Sequence, residues 1–290
     1  MKGYKAFGKG MVCRGKQYEE NKIFEEDEAK VCQKGMHFCK RPLDVLNYYP
    51  LVDDDGNMTE FAEVEALDNP VTDDNKKYCS KKLKIGAKIS FAKLVLAEIN
   101  FDSEKTVDTK TKTTSKNNAR IGSSGDWEQI GSSGAWAKIG SSGDWAKIGS
   151  SGKSAKIGSS GNSAKIGSSG DWAKIGSSGN SAQIGSSGNS AQIGSSGDWA
   201  QIGSSGDWAQ IGSSGDWAQI GSSGKNCVIC CAGNGCKAKG KIGSWITLSE
   251  WDYVNEELTP ICVKTEKIDG ERIKEDTFYM LKDGEFVEVQ

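Results

Sequence analysis

The sequence predicts a mainly β protein: a central parallel β-solenoid with a small α/β domain before it and an antiparallel β domain after it. Three observations carry that expectation. Isoleucine recurs every nine residues from Ile121 to Ile229, and the first eleven units read I-G-S-S-G-x-[WS]-[AE]-[KQ]. Identical short units share one local structure, and none can bury its apolar face alone, so stacked copies must bury one another. The flanks lose this period and show mixed strand and helix signals instead. Near the end, Asp269-Gly270 and Asp283-Gly284 separate apolar segments, as hairpin turns do. Composition then divides the chain into an α/β domain (1–102), a polar linker or cap (103–118), the nonapeptide solenoid (119–241) and a C-terminal β domain (242–290).

In the first domain, Tyr4 to Lys16 holds short apolar and aromatic positions suited to strands. Pro42 suits a first helical turn, Leu43 to Tyr49 its body, and Pro50 its stop. Ala62, Val64 and Ala66 alternate on one side of an expected strand, and Leu83 and Ile85 mark another. Ser90 is placed to cap a helix running through Phe91, Leu94, Val95 and Ile99.

Within one repeat, alternation puts Ala146, Ile148 and Ser150 on one face and Lys147, Gly149 and Ser151 on the other. Gly152 follows, and its freedom at positive φ is expected to form the corner. Nine residues thus supply one strand and one turn, so a closed coil takes two units, or eighteen residues. Thirteen units give about six and a half coils, roughly 30 Å long at about 4.8 Å per rung. Inward serines such as Ser123 and Ser141 require that each hydroxyl bond to backbone or to its stacked neighbour.

The corners carry a second pattern. Trp127, Trp145, Trp172, Trp199, Trp208 and Trp217 follow Asp; Trp136 follows Ala; serine follows Asn or Lys at the remaining four corners. With eighteen residues per coil, Trp127 stacks near Trp145 and Trp199 near Trp217. These seven indoles either shield the ladder or form an aromatic stripe for a ligand, a sugar or a partner protein. The outward position changes from Lys at 138, 147, 156, 165 and 174 to Gln at 183, 192, 201, 210 and 219. Amide ladders stack well, whereas like charges one rung apart repel. The period also matches a calcium-binding roll, but there Asp stands two residues after Gly, whereas Asp126 directly follows Gly125.

Two groups of residues could carry chemistry. Cys13, Cys32, His37 and Cys39 have the spacing C-x18-C-x4-H-x-C, which supplies four ligands for a structural tetrahedral zinc or, alternatively, three buried thiols and a satisfied histidine. Cys227, Cys231 and Cys236 fall on inward positions of the repeat grid, where small apolar side chains are needed, so packing accounts for them; Cys230 falls outward. A short stretch including Cys13-Arg14-Gly15, Gly35-Met36-His37-Phe38 and Tyr48-Tyr49 is similar to ADP-ribosyltransferases. That similarity implies that Arg14 or His37 grips a nicotinamide dinucleotide and that Glu63 or Glu65 orients its ribose.

Over nearly its whole length the chain resembles an uncharacterised phage- and prophage-associated family. Tyr4-Lys5-Ala6-Phe7, Cys13-Arg14-Gly15-x-Gln17-Tyr18-Glu19, Cys32-x-x-Gly35-x-His37-x-Cys39 with Pro42-Leu43-Asp44, and Lys84-Ile85-Gly86-Ala87 carry the resemblance. In that family nine-residue repeats follow, usually written G-A-A-S-A-T-G-D-Y; this chain has a bulkier version. The resemblance implies a Cys/His-containing N-terminal domain followed by repeats, and no assigned activity.

Basic and acidic residues nearly balance, 37 against 39, so no global field draws the chain to nucleic acid or membrane. Nine cysteines, an odd number, with no apolar leader after Met1, suit reduced thiols in the cytoplasm, of the host cell if the chain is phage-encoded. The expected function is a non-enzymatic scaffold or binding protein engaging a host protein, with no cofactor beyond the candidate structural zinc. The alternatives are an ADP-ribosyltransferase-like domain displayed on a solenoid, using Arg14, His37 and Glu65, and a trimeric fibre-like assembly in which three chains share each layer.

Overall fold

The computed structural model describes residues 1–51, 53, 57–103 and 111–289; segment 104–110, within the expected linker or cap, lies outside them. The centre is a parallel β-solenoid of eighteen residues per coil. Strands such as Gln129–Ser132, Lys147–Ser150 and Lys165–Ser168 form one wall; Lys138–Ser141, Lys156–Ser159 and Lys174–Ser177 form the other. Every rung stacks in register, with Ile148 over Ile130 and Ile157 over Ile139. One chain closes each layer, since successive strands alternate between the walls. Each wall holds eight parallel strands, so the solenoid has about eight coils, not six and a half. The extra strands come from segments without the repeat letters. Thr111–Thr114 opens one wall, Lys237–Lys239 extends it, and Trp245–Val254 extends the other, with Ile246 and Leu248 turned inward. Backbone pairing and alternation suffice to continue a ladder without the repeat consensus.

The inward rows are as alternation requires. Ala146, Ile148 and Ser150 are fully buried, as are their equivalents through most of the array. The expected pairing of inward hydroxyls is found only in part: Oγ of Ser123 accepts from Lys112 at 3.4 Å and Oγ of Ser150 accepts the N–H of Gly152 at 3.3 Å, but Ser132, Ser141, Ser159, Ser168, Ser177 and Ser195 are among nine inward serines whose Oγ has no hydrogen-bond partner. Their stacked counterparts stand one rung away, about 4.8 Å, beyond hydrogen-bond reach. Serine is therefore present for its small volume, and Cys231 fills an equivalent place with 0 % exposure. An orphaned hydroxyl costs about 1–3 kcal/mol. Ser159→Ala should accordingly raise stability by about 1 kcal/mol, read as a higher denaturant midpoint with an unchanged slope.

The corners correct a second expectation. Gly152 is not at positive φ; the left-handed residue comes two positions later, at the Trp or Ser of each corner, as in Trp145 (φ 54) and Ser154 (φ 58). The glycine serves close approach instead. A Cβ on Gly152 would stand 1.9 Å from the carbonyl oxygen of Gly134 in the coil beneath, and Gly143 and Gly161 meet the same obstacle. Where Asp or Asn precedes the Trp or Ser, its side chain links one coil to the next; Ala135 and Lys153 interrupt this on one edge. Oδ1 of Asp144 accepts the N–H of Asn162, Oδ1 of Asn162 that of Asn180, and Oδ1 of Asn180 that of Asp198. The ladder runs unbroken from Asp126 to Asn234 on one edge and from Asp171 to Lys225 on the other.

Before the solenoid, seven antiparallel strands form a sheet in the spatial order Ile23–Glu25, Lys82–Ile89, Glu60–Ala66, Lys2–Phe7, Met36–Cys39, Lys77–Ser80, Val71–Thr72. Pro42–Asn47 is a single 3-10 stretch, shorter than the expected helix. Helix α1 (Phe91–Ser103) follows; Oγ of Ser90 accepts the N–H of Lys93 at 3.3 Å, and the Ser90 carbonyl accepts that of Leu94. The helix lies across the wall that carries Lys147 and Lys165. There Glu98, 1 % exposed, joins Lys147 of the solenoid at 3.0 Å, Nε of Arg41 at 2.7 Å and the N–H of Leu43 at 2.9 Å. Further along the same wall Phe91 sits against Gly185 and Met58 against Gly203, where any Cβ would collide. One wall is thus covered by the N-terminal domain and the other is open.

At the far end, two antiparallel hairpins replace the parallel edges. Trp245–Val254 turns through Asn255 and Glu256, both left-handed, into Glu257–Lys267, and Phe278–Lys282 turns through Asp283-Gly284 into Glu285–Val289. Asp283-Gly284 is the expected two-residue turn. Asp269 instead organises the long connection between the hairpins, its carboxylate accepting the N–H groups of Glu271, Arg272 and Ile273.

Candidate functional site

The seven indoles expected to bind a partner lie along the two corner edges that separate the walls. All are exposed, from 43 % for Trp145 to 59 % for Trp199. Along one edge, Trp127 stacks on Trp145 with centroids 4.8 Å apart, and Trp199 on Trp217 at 5.4 Å. Ser163 and Ser181 separate these two pairs, leaving a gap two rungs wide. Along the other edge Trp136, Trp172 and Trp208 alternate with Ser154 and Ser190, and the Lys153 ammonium stands 4.1 Å over the Trp172 ring.

The fold itself does not require these indoles. Ser163 adopts the same left-handed conformation as Trp145 and donates the same corner bond, to the Asn180 carbonyl, that Trp145 donates to the Asn162 carbonyl. A non-glycine residue there costs about 1–2 kcal/mol, least for Asn. At the array's margins the same position is held by Asn118, Asn226 and Gly235, residues that tolerate it best.

The open wall lies between the edges. Its outward rows are Arg120, Lys138, Lys156 and Lys174, then Gln192 and Gln210, beside a column of glycines. A Cβ added at Gly140, Gly158, Gly176 or Gly194 would meet nothing within 4 Å. The amides pair along the column, Nε2 of Gln192 donating to Oε1 of Gln210 at 3.4 Å.

A second concavity, about 260 Å³, opens in the N-terminal domain. Its floor is Lys5, which alternation places on the same side of its strand as Phe7. Lys5 is 4 % exposed; its ammonium donates to the His37 carbonyl at 2.8 Å and to Sγ of Cys13 at 3.4 Å, and lies 5.3 Å over the Tyr18 ring. Burial pulls its pKa below the ordinary lysine value. The Tyr49 hydroxyl donates to Sγ of Cys13 at 3.1 Å. His37 also lines the cleft; burial, then Arg14, Lys5 and Lys77, lower it to about 4, so it is neutral at pH 7. Its Nε2 accepts the N–H of Cys32 at 3.0 Å.

Of the four zinc-candidate residues, Cys13, His37 and Cys39 line this cleft, whereas Cys32 is exposed and its sulfur accepts from Lys77 at 2.9 Å. Burial first, then Asp44, pushes the Cys39 thiol up to about 12. Among the described residues, no three His, Cys, Asp or Glu side chains gather as a metal-ligating group. Arg14 and His37 share the cleft, but neither Glu63 nor Glu65 lines it; its one carboxylate is Glu26, paired with Lys16. Cys227, Cys231 and Cys236 are buried in the solenoid core as the repeat grid places them.

Neither motif nor spacing marks Lys5, Tyr18 or Lys77 as a site residue. The one available signal was the lysine inside Tyr4-Lys5-Ala6-Phe7, on the side of the strand that carries Phe7. Neither the curated proteins nor the solved structures offer a match to the chain. Residues 1–97 match the family described as Domain of unknown function (DUF7666), so the chain carries that domain at its N-terminus, ahead of a repeat-built β-solenoid.

Proposed function

We propose that this protein is a non-enzymatic scaffold whose solenoid edges capture a partner protein, a host factor where the chain is phage-encoded, through their rows of indoles. The observation that carries this reading is the retention of tryptophan at corners that fold equally well with serine. Shielding the ladder does not account for side chains about half exposed, each at a left-handed position that disfavours it. Aromatic anchors on a rigid frame are typical of protein-binding hot spots, because large contact area is presented at small entropic cost. Stacking Trp127 on Trp145 and Trp199 on Trp217 orders them further.

The test uses substitutions that the array already contains. Trp199, Trp208 and Trp217 are changed together to Ser in the full chain, and captured proteins from host lysate are compared with those of the parent by quantitative mass spectrometry. A partner retained by the parent and lost at least tenfold by the variant, with an unchanged circular dichroism spectrum, is the expected result. An unchanged set of captured proteins would remove the indoles as the binding face.

A further inference from the structure

The N-terminal cleft is separate from the solenoid edges, and its chemistry points elsewhere. Lys5 places its amino group at the bottom of a cavity, almost wholly removed from water, and no carboxylate among the described residues pairs with it. A buried ammonium without a counter-charge is costly, so the group either gives up its proton or takes an anion as partner. What it has instead is a carbonyl oxygen, a sulfur and the faces of Phe7 and Tyr18. Around the mouth stand Arg14, Lys34 and Lys77; the lone carboxylate, Glu26, is already matched by Lys16. The lining therefore has more basic side chains than acidic ones, with Lys5 at its floor and Arg14, Lys34 and Lys77 at its rim.

Arg14 is held in place by an unusual turn. Val12–Cys13 and Lys16–Gln17 pair through Arg14 and Gly15, with φ of 49° and 75°. Such two-residue turns favour Asn or Gly at the first position, so an arginine there bears backbone strain. Tyr48 and Tyr49 complete the opposite side, Tyr48 lying under Lys77 at 4.6 Å. The cavity is smaller than the usual drug-sized pocket of about 300–1,000 Å³.

We propose that this cleft binds a small phosphorylated metabolite of mononucleotide size or less, its phosphoryl group held by Lys5 and Arg14 and its ring or sugar placed against Tyr48 and Tyr49. Phosphate suits the site better than a simple carboxylate because it offers three oxygens and two charges to donors arriving from several sides. The solenoid edges play no part, so the two proposals stand or fall separately.

The test is titration calorimetry on the full chain with adenosine 5′-monophosphate, ribose 5-phosphate and adenosine. Both phosphates should bind, adenosine should bind at least tenfold more weakly, and inorganic phosphate should compete. Lys5→Met should weaken phosphate binding at least tenfold. Should that buried change disturb folding, Arg14→Asn, on an exposed turn that prefers Asn, keeps the fold and should lose binding by a similar factor. The triple tryptophan variant should bind phosphate as the parent does. Absence of heat with either phosphate, or equal affinity in Arg14→Asn and the parent, would overturn the assignment.

Discussion

Glu98→Ala should destabilise the protein by about 3–5 kcal/mol at neutral pH, the cost of breaking a buried ion pair from one side. Its carboxylate is buried where helix α1 meets the solenoid, holding Lys147, Arg41 and the Leu43 N–H together. Removing it leaves the Lys147 ammonium, whose side chain is 19 % exposed, facing a covered wall without its counter-charge, and Lys165 adds repulsion from the next rung. Burial by itself would raise the Glu98 pKa, but Lys147, the Leu43 N–H and Arg41 outweigh it and hold the group below its ordinary value. The contribution is therefore complete above the unfolded-state value, near pH 4.5, and disappears as pH falls through the lower folded value. Denaturant unfolding of parent and variant across pH should show a gap that is constant at neutral pH and closes in acid. A gap that widens on acidification would contradict this account.

Gly152→Ala should be nearly as damaging, about 3 kcal/mol, at the upper end of overpacking. The new methyl would meet the Gly134 carbonyl oxygen at 1.9 Å and its carbon at 2.6 Å, and backbone atoms cannot rotate aside as a side chain can. The same change at Gly158, on the open wall, meets nothing and should stabilise by about 0.5 kcal/mol by restricting the unfolded chain. The two residues lie six positions apart in similar units, so composition and propensity nearly cancel in the comparison. Equal midpoints for the two variants in urea would refute the close-approach explanation.

Much of this architecture could be read from residue spacing. Nine-residue isoleucines and the alternation about Ile148 specify the inward face, and a strand with one turn per unit requires two units to close a coil. Stacking of Trp127 with Trp145 follows from the same arithmetic. The reason for each corner glycine was not legible, because open φ space and lack of a Cβ are properties of the same letter. Only the position of the neighbouring coil shows that Gly152 is needed for the second. The Asp144–Asn162–Asn180 ladder was hidden for a related reason, since its bonds join residues eighteen apart that also read as ordinary turn formers. The difference between the walls was beyond reach, for near-identical units become inequivalent only when Glu98 and Phe91 dock on one of them. In the cleft, spacing drew attention to Cys13, Arg14 and His37 but not to Lys5, whose burial depends on Tyr18, Tyr49 and the turn around Arg14.

Because consecutive units alternate between walls, the array has a parity. Deleting two units would shorten it by one rung and leave every later residue on its own side. Deleting a single one would carry the whole downstream segment half a turn around the axis. The N-terminal domain grips the solenoid near its start through Glu98 and again close to its end, where Met58 rests on Gly203 and Lys9 approaches Asp276 at 4.0 Å. A half-turn would swing that second foothold to the opposite side. A deletion of two units should therefore be tolerated better than a deletion of one, and the globular domain acts as a gauge on the parity of the coil it rides.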